Sequence, residues 1–451
     1  MKQLHSIITA SFLFIAGASY SQSWQPVGTG MTGNSSGVQV RAFTEYAQEL
    51  YVGGFFTNAG GISTQGLAKW NGSTWSKVGS GISGGMSAPY SPDATGLAIY
   101  NTDLYVCGNF AQAGGVTSNS IAKWNGSSWS MAAAAPFMGG QVDAVAVYNN
   151  ELYVGGWFFQ TSTGINYIAK WNGSAWTTVG SNGDMDDFVE ALVVYKGELY
   201  AGGYFLNVDG NQISGLAKWN GTSWSAVGGG LFGTSFVYTL MVHNGELYVG
   251  GNLTVSGVNA YAIAKWDGTN WTALGTGMNN TVLALAGNNN DIYAGGHFTT
   301  AGGVSVNKIA KWDGTNWSAL GSGMNASVWS LGTYKNELYA GGDFTQAGGV
   351  PASHIARWTG LTSINNAIAK ENNIEIFPNP AGNYFSFIGG DDIKSIKIYN
   401  CLGSLVKEVS ADELIGPDKQ ISLYGIVPGI YSVAFETKEN KNIQEKLVIL
   451  K

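Results

Sequence analysis

Seven copies of a tryptophan-bearing repeat, hairpin turns at fixed places in each copy, and a change of composition near residue 373 predict an all-β chain. The architecture they predict is a seven-bladed β-propeller closed by an N-terminal strand, plus a C-terminal Ig-like β-sandwich. A Lys/Arg-Trp pair recurs at Trp70, Trp124, Trp171, Trp219, Trp266, Trp312 and Trp358. A Leu/Ile-Tyr pair recurs in step, ending at Tyr51, Tyr105, Tyr153, Tyr200, Tyr248, Tyr293 and Tyr339. In a typical repeat the spacing predicts strands at 281–286, 291–298, 308–312 and 317–321. The last two join through Asp313-Gly314, residue types that tolerate the positive φ of a tight hairpin.

Closure of the ring is legible at the ends of the repeat region. Six repeats carry a second tryptophan five residues after the first, at Trp75, Trp129, Trp176, Trp224, Trp271 and Trp317. The seventh has none, and the missing piece stands near the start of the chain, in Trp24-Gln25-Pro26-Val27-Gly28. An N-terminal strand supplying it would complete the last blade and remove the open edges of the ring.

The charges of the repeat read as structure. Each Leu/Ile-Tyr pair follows an acid (Glu49, Asp103, Glu151, Glu198, Glu246, Asp291, Glu337), and each first tryptophan follows a base (Lys69, Lys123, Lys170, Lys218, Lys265, Lys311, Arg357). Strand two starts and strand three ends on one face of the ring, so these charges are expected to meet as one cross-strand pair per blade.

The double glycine after the tyrosine, as in Tyr51-Val52-Gly53-Gly54 and Tyr293-Ala294-Gly295-Gly296, together with the spaced tryptophan pair, resembles the kelch repeat of galactose-oxidase-type propellers. The fuller pattern is similar to the propeller repeats of fungal cortical bud-site marker proteins. The resemblance spans 23–360 and bears on fold. The copper chemistry of galactose oxidase is not expected, because the chain has no Tyr-His pair and Cys107 occupies a double-glycine position.

Four segments follow from this reading: a signal peptide at 1–21, the propeller at 22–360, a linker at 361–373 and a second domain at 374–451. Lys2, an apolar run at 7–18 and small residues at 19–21 have the order of a secretory signal. Residues 374–451 hold 18 of the chain's 51 charged residues and no tryptophan. Their alternating pattern predicts strands at 374–377, 384–388, 393–399, 404–409, 419–422, 429–437 and 444–450. Phe377-Pro378-Asn379-Pro380, the run at 398–406 containing Gly403, Pro428-Gly429-Ile430-Tyr431 and the terminal run ending in Lys451 resemble the type A C-terminal sorting domain of the Bacteroidetes type IX secretion system. That resemblance implies export across the outer membrane, contact with the secretion machinery and its sortase, and removal of the domain.

Net charge is −7 with no basic tract, and only 11% of residues are charged, so nucleic acid is not an expected partner. After the N-terminal run no apolar stretch is long enough to span a membrane. Cys107 and Cys401 fall in different domains, so no disulfide framework is expected. His243, His297 and His354 sit at different repeat positions, and no metal site is read from them.

The acids outside the repeat pattern are the candidate site. Asp184, Asp186, Asp187 and Glu190 cluster in the loop entering the fourth blade, with Asp93 and Asp143 in the two equivalent preceding loops. Variable loops on a rigid scaffold are where binding usually resides. These carboxylates could hold Ca²⁺ or accept hydrogen bonds from sugar hydroxyls, or simply be solvated. No other cofactor is expected. Trp157 and Trp329, outside the repeat pattern, read as sugar-stacking platforms or as packing between blades. The function expected is a secreted or cell-surface module that binds a glycan or protein without catalysis. The alternatives are a propeller enzyme acting on extracellular polysaccharide and a structural surface protein. Two carboxylates, or a carboxylate and a Tyr or His, converging in one pocket would favour the enzyme, and a flat or purely polar face without such a pair would favour binding.

Overall fold

In the computed structural model the described residues are 22–33, 37–85, 92–132, 138–160, 164–181, 185–255, 257–258, 260–359, 374–377, 381, 383–388, 393–399, 405–410, 420–438 and 442–449. They are all-β, and the chain divides into two compact units, 1–361 and 362–451.

The first unit contains seven four-stranded antiparallel sheets. The fourth is typical: Val189–Tyr195, Glu198–Gly203, Leu216–Trp219 and Trp224–Ala226, hydrogen-bonded in chain order. The repeat that predicted strands at 281–286, 291–298, 308–312 and 317–321 forms Val282–Asn288, Asp291–Gly296, Ile309–Trp312 and Trp317–Ala319. Between its second and third strands the sequence reading missed a small hairpin, Thr300–Ala301 against Val304–Ser305, turning through Gly302 and Gly303, both at positive φ.

The first strands of successive sheets pack side by side in chain order, and that of the seventh packs against that of the first. Glycine makes this approach possible. A Cβ on Gly155, Gly202, Gly295 or Gly341 would lie 2.4–2.5 Å from a Cγ1 of Val189, Val237, Val328 or Val40, on the first strand of the next sheet. The second sheet has Cys107 at this place, where Gly96 opposite it leaves room for the sulfur, so this cysteine is a packing residue.

The seventh sheet consists of Val328–Tyr334, Glu337–Gly342, Ile355–Thr359 and, as its outer strand, Ser23–Pro26. Trp24 pairs with Trp358 in register, and the two rings stand 5.2 Å apart. Trp75, Trp129, Trp224, Trp271 and Trp317 donate indole N–H groups to carbonyls just beyond the outer strand of the preceding sheet, at 2.8–3.4 Å. Trp24 makes the equivalent bond to the Leu320 carbonyl at 2.9 Å, so the N-terminal strand takes the place that the missing tryptophan would hold.

The expected charge ladder is present as seven cross-strand pairs with N–O distances of 2.6–3.1 Å, each partly buried.

The second unit has a three-stranded sheet, Glu375–Phe377, Tyr384–Ile388 and Ile421–Ser422, and a four-stranded one ordered Leu405–Ser410, Ile393–Tyr399, Gly429–Thr437 and Asn442–Ile449. Both contribute to one core that includes Phe385, Phe387, Ile396, Phe435 and Leu447.

Candidate functional site

Every first strand carries a β-bulge at the same place. The register against the second strand skips one residue between Val40 and Ala42, Ala94 and Gly96, Val142 and Ala144, Val189 and Ala191, Val237 and Thr239, Val282 and Ala284, and Val328 and Ser330. Bulges re-aim side chains, and they do so here. The seven skipped residues, Arg41, Thr95, Asp143, Glu190, Tyr238, Leu283 and Trp329, all line one cavity of about 500 Å³ enclosed by the first strands. The second glycine of the double-glycine motif accommodates the bulge. On Gly203 a Cβ would lie 2.0 Å from the Phe188 carbonyl, and the same clash recurs on Gly251, Gly296 and Gly342.

The scaffold therefore repeats while the residue at the cavity changes with every sheet. In ring order, Arg41, Thr95, Asp143 and Glu190 form a polar arc, and Tyr238, Leu283 and Trp329 form an aromatic and apolar one. Asp143 accepts a hydrogen bond from Gln141 and lies beside Thr95. The Glu190 carboxyl has no hydrogen-bond partner among the described residues. Burial raises the pKa of both carboxyls, and the Asp143 charge raises that of Glu190 further, while Arg41 partly offsets each shift. Arg41 is held in place by two hydrogen bonds to Gln39 Oε1, at 3.0 and 2.7 Å, and its guanidinium lies 5.4 Å from the centre of the Trp329 ring. Trp329 donates its indole N–H to Asp343 at 2.8 Å and meets His297 edge to face. The His297 pKa is lowered by burial and by Lys308.

The residues expected from sequence separate into groups. Asp143, Glu190 and Trp329 converge on the cavity. Asp93 lies behind them, buried, with its pKa raised by that burial, and accepts a hydrogen bond from the Asn109 amide. Asp93, Asp143 and Glu190 were expected in loops; they stand instead within first strands, because the strand continues through the bulge. Asp186 does not reach the cavity. It accepts three hydrogen bonds from Leu206 and Asn207, which outweigh the effect of burial and lower its pKa. Asn279 and Asn325 make equivalent backbone contacts in the sixth and seventh sheets, so Asp186 braces a loop. Asp187 accepts from the adjacent Phe188 amide, and Trp157 lies outside the cavity, half exposed. Asp184 lies outside the described residues. Among the described residues no group of three His, Cys, Asp or Glu is placed to hold a metal ion.

Sequence reasoning missed Arg41, Tyr204 and Tyr238. The signal was present: each cavity residue stands ten places before the repeat tyrosine, a variable position between near-constant neighbours. The position four places after that tyrosine varies too; it supplies Tyr204 and His297 to the cavity and Asp343 to the indole N–H of Trp329.

In the second unit Tyr431 is buried in the core and donates its hydroxyl to the Val427 carbonyl at 2.8 Å, while Gly429 opens its strand. Phe377 ends a strand. Pro378, Asn379, Pro380, Gly403 and Lys451, like 1–21 and 361–373, lie outside the described residues.

Residues 375–450 match the secretion system C-terminal sorting domain family. The chain thus carries a type IX sorting domain and is directed to the cell surface or secreted. Among the described residues no helix is long and apolar enough to cross a membrane. No curated protein matches the sequence. Solved structures that resemble the fold at low identity include these three. PorZ, a surface component of the type IX secretion system of Porphyromonas gingivalis, is 12% identical with a TM-score of 0.38, over 91% of this chain and 65% of that one. The Niastella koreensis GH74 enzyme is 13% identical with a TM-score of 0.42, over 94% and 74%. The computationally designed Ika8 protein is 15% identical with a TM-score of 0.44, over 74% and 98%.

Proposed function

We propose that residues 22–360 form a seven-bladed, kelch-like propeller that binds a glycan in its axial cavity, within a protein exported by the type IX pathway. A signal peptide at 1–21 starts that route. A sandwich of the Ig-like, type A class at 374–451, set off by the linker at 361–373, engages the export machinery and sortase. One observation carries the binding reading: seven non-equivalent side chains, one from each sheet of a repeating scaffold, converge on a single cavity. Their chemistry suits a sugar, whose hydroxyls donate to Asp143 and Glu190 and accept from Arg41.

The test is calorimetric titration of the full chain with a panel of neutral and amino sugars. Glu190→Ala and Arg41→Gln should each weaken binding by about tenfold or more, as loss of a buried hydrogen-bond partner does. Unchanged affinity in both variants would remove the cavity as the site.

A second reading is hydrolysis of a polysaccharide, favoured by the two acids lying on neighbouring sheets with raised pKa values. Both, however, stand on one arc; across the cavity the lining presents Arg41 and Trp329, and the acid on that side, Asp343, is outside the lining and holds the Trp329 indole N–H. Release of reducing ends from polysaccharide, lost in Glu190→Gln, would establish the enzyme.

A further inference from the structure

The mouth of the cavity differs around the ring. On the sixth sheet the paired positions just before the bulge hold Thr281 and His297, and on the seventh Ser327 and Asp343, with His297 lining the cavity. On the third, fourth and fifth sheets the same positions hold Gln141 and Trp157, Phe188 and Tyr204, and Phe236 and Asn252, four of the six aromatic. Their rings follow one another without a break, 5.6 Å from Trp157 to Phe188, 5.8 Å from Phe188 to Tyr204 and 4.7 Å from Tyr204 to Phe236. Tyr204 links this arc to the interior: its hydroxyl donates to that of Tyr238 at 2.6 Å, and both line the cavity. At the other end Trp157 is 50% exposed, a large ring left in water beside a polar cavity.

A pyranose unit has hydroxyls around its edge and C–H groups on its faces. The hydroxyls suit Asp143, Glu190 and Arg41, and the C–H face suits an aromatic ring. The aromatic arc begins inside the cavity and ends outside it, so a single unit in the cavity leaves Trp157 uncovered. Resting on the glycan-binding reading above, we infer that the ligand is a linear chain of pyranose units, with one unit in the cavity and the next laid along Phe188 and Trp157. Chain length is then read at the mouth and sugar identity inside.

The test uses the full chain and linear oligosaccharides of β-1,4-glucan, β-1,4-xylan, β-1,4-mannan, chitin and α-1,4-glucan, each from monomer to hexamer. For the sugar that binds, affinity should rise roughly tenfold or more between monomer and trimer, a gain of about 1.4 kcal/mol per decade. Trp157→Ala should abolish that rise and Trp157→Phe should keep most of it. Hydroxyl-radical footprinting of the unmutated protein provides a readout independent of folding, in which the hexamer protects Trp157 and the monomer does not. Equal affinity for monomer and hexamer, or an unprotected Trp157 under saturating hexamer, overturns the chain inference while leaving the cavity reading intact. Absence of binding to every sugar overturns both.

Discussion

Glu190 and Asp143 are acids placed where ionisation is costly, inside a ring of sheets with one arginine to answer them. A carboxyl whose pKa is raised by folding is neutral in both states at low pH. As pH rises, the unfolded chain ionises first, so stability falls from the ordinary carboxylate range upward until pH passes the raised folded values. The melting temperature of the protein should therefore decline from mildly acidic to alkaline pH. Glu190→Gln should flatten that decline and melt several degrees higher than the parent at alkaline pH. Parallel pH profiles for the two proteins would show that burial does not hold the Glu190 proton. Arg41→Gln should steepen the decline, since it removes the positive charge that offsets both shifts.

At the scale of the element, ring closure depends on a strand of four residues, Ser23–Pro26. Trp24 contributes most of its buried surface, being 2% exposed, and adds the indole bond to Leu320. Truncating a buried tryptophan to alanine costs about 3–5 kcal/mol, so Trp24→Ala should lower the thermal midpoint sharply. Deletion of residues 22–30 should lower it further by exposing the edge of the seventh sheet. An unchanged melting curve in both would mean that the strand does not close the ring. Removing one charge pair, by contrast, should change stability by only about 0–1 kcal/mol, because these partly exposed pairs gain little over hydration.

The elements themselves were legible because aromatic residues and Asn/Asp-Gly turns recur at fixed intervals, and the absence of a second tryptophan after Trp358 pointed to Trp24. The site was legible only in part. Asp143 and Glu190 stood out as acids that no repeat position explained. Arg41, Tyr204 and Tyr238 did not, since nothing in a strand's two-residue alternation announces a bulge. Superposing the seven repeats on their tyrosines exposes the variable place, and the carbonyl lying against the second glycine explains why the bulge occurs there. Asp186 misled for the opposite reason: its side chain looks free in sequence but satisfies the backbone of Leu206 and Asn207.

For the whole molecule, the two units have separate hydrophobic cores. One draws only on residues between Ile374 and Ile449, and the clusters of the other lie between Trp24 and Trp358. A unit with its own core can fold alone, so deleting 374–451 should leave the ring of sheets folded with its cavity intact. What the deletion removes is the address. The match over 375–450 identifies that segment with export. In a Bacteroidetes host the intact chain should be trimmed near residues 362–375 and found at the surface or in the medium. The truncated chain should accumulate in the periplasm, still protease-resistant and with the same melting temperature as the trimmed protein. Fractionation followed by immunoblotting separates these outcomes. If the truncated chain reached the surface as efficiently as the intact one, the sorting role would be lost. If it were degraded instead, the C-terminal unit would be needed for folding as well as for export.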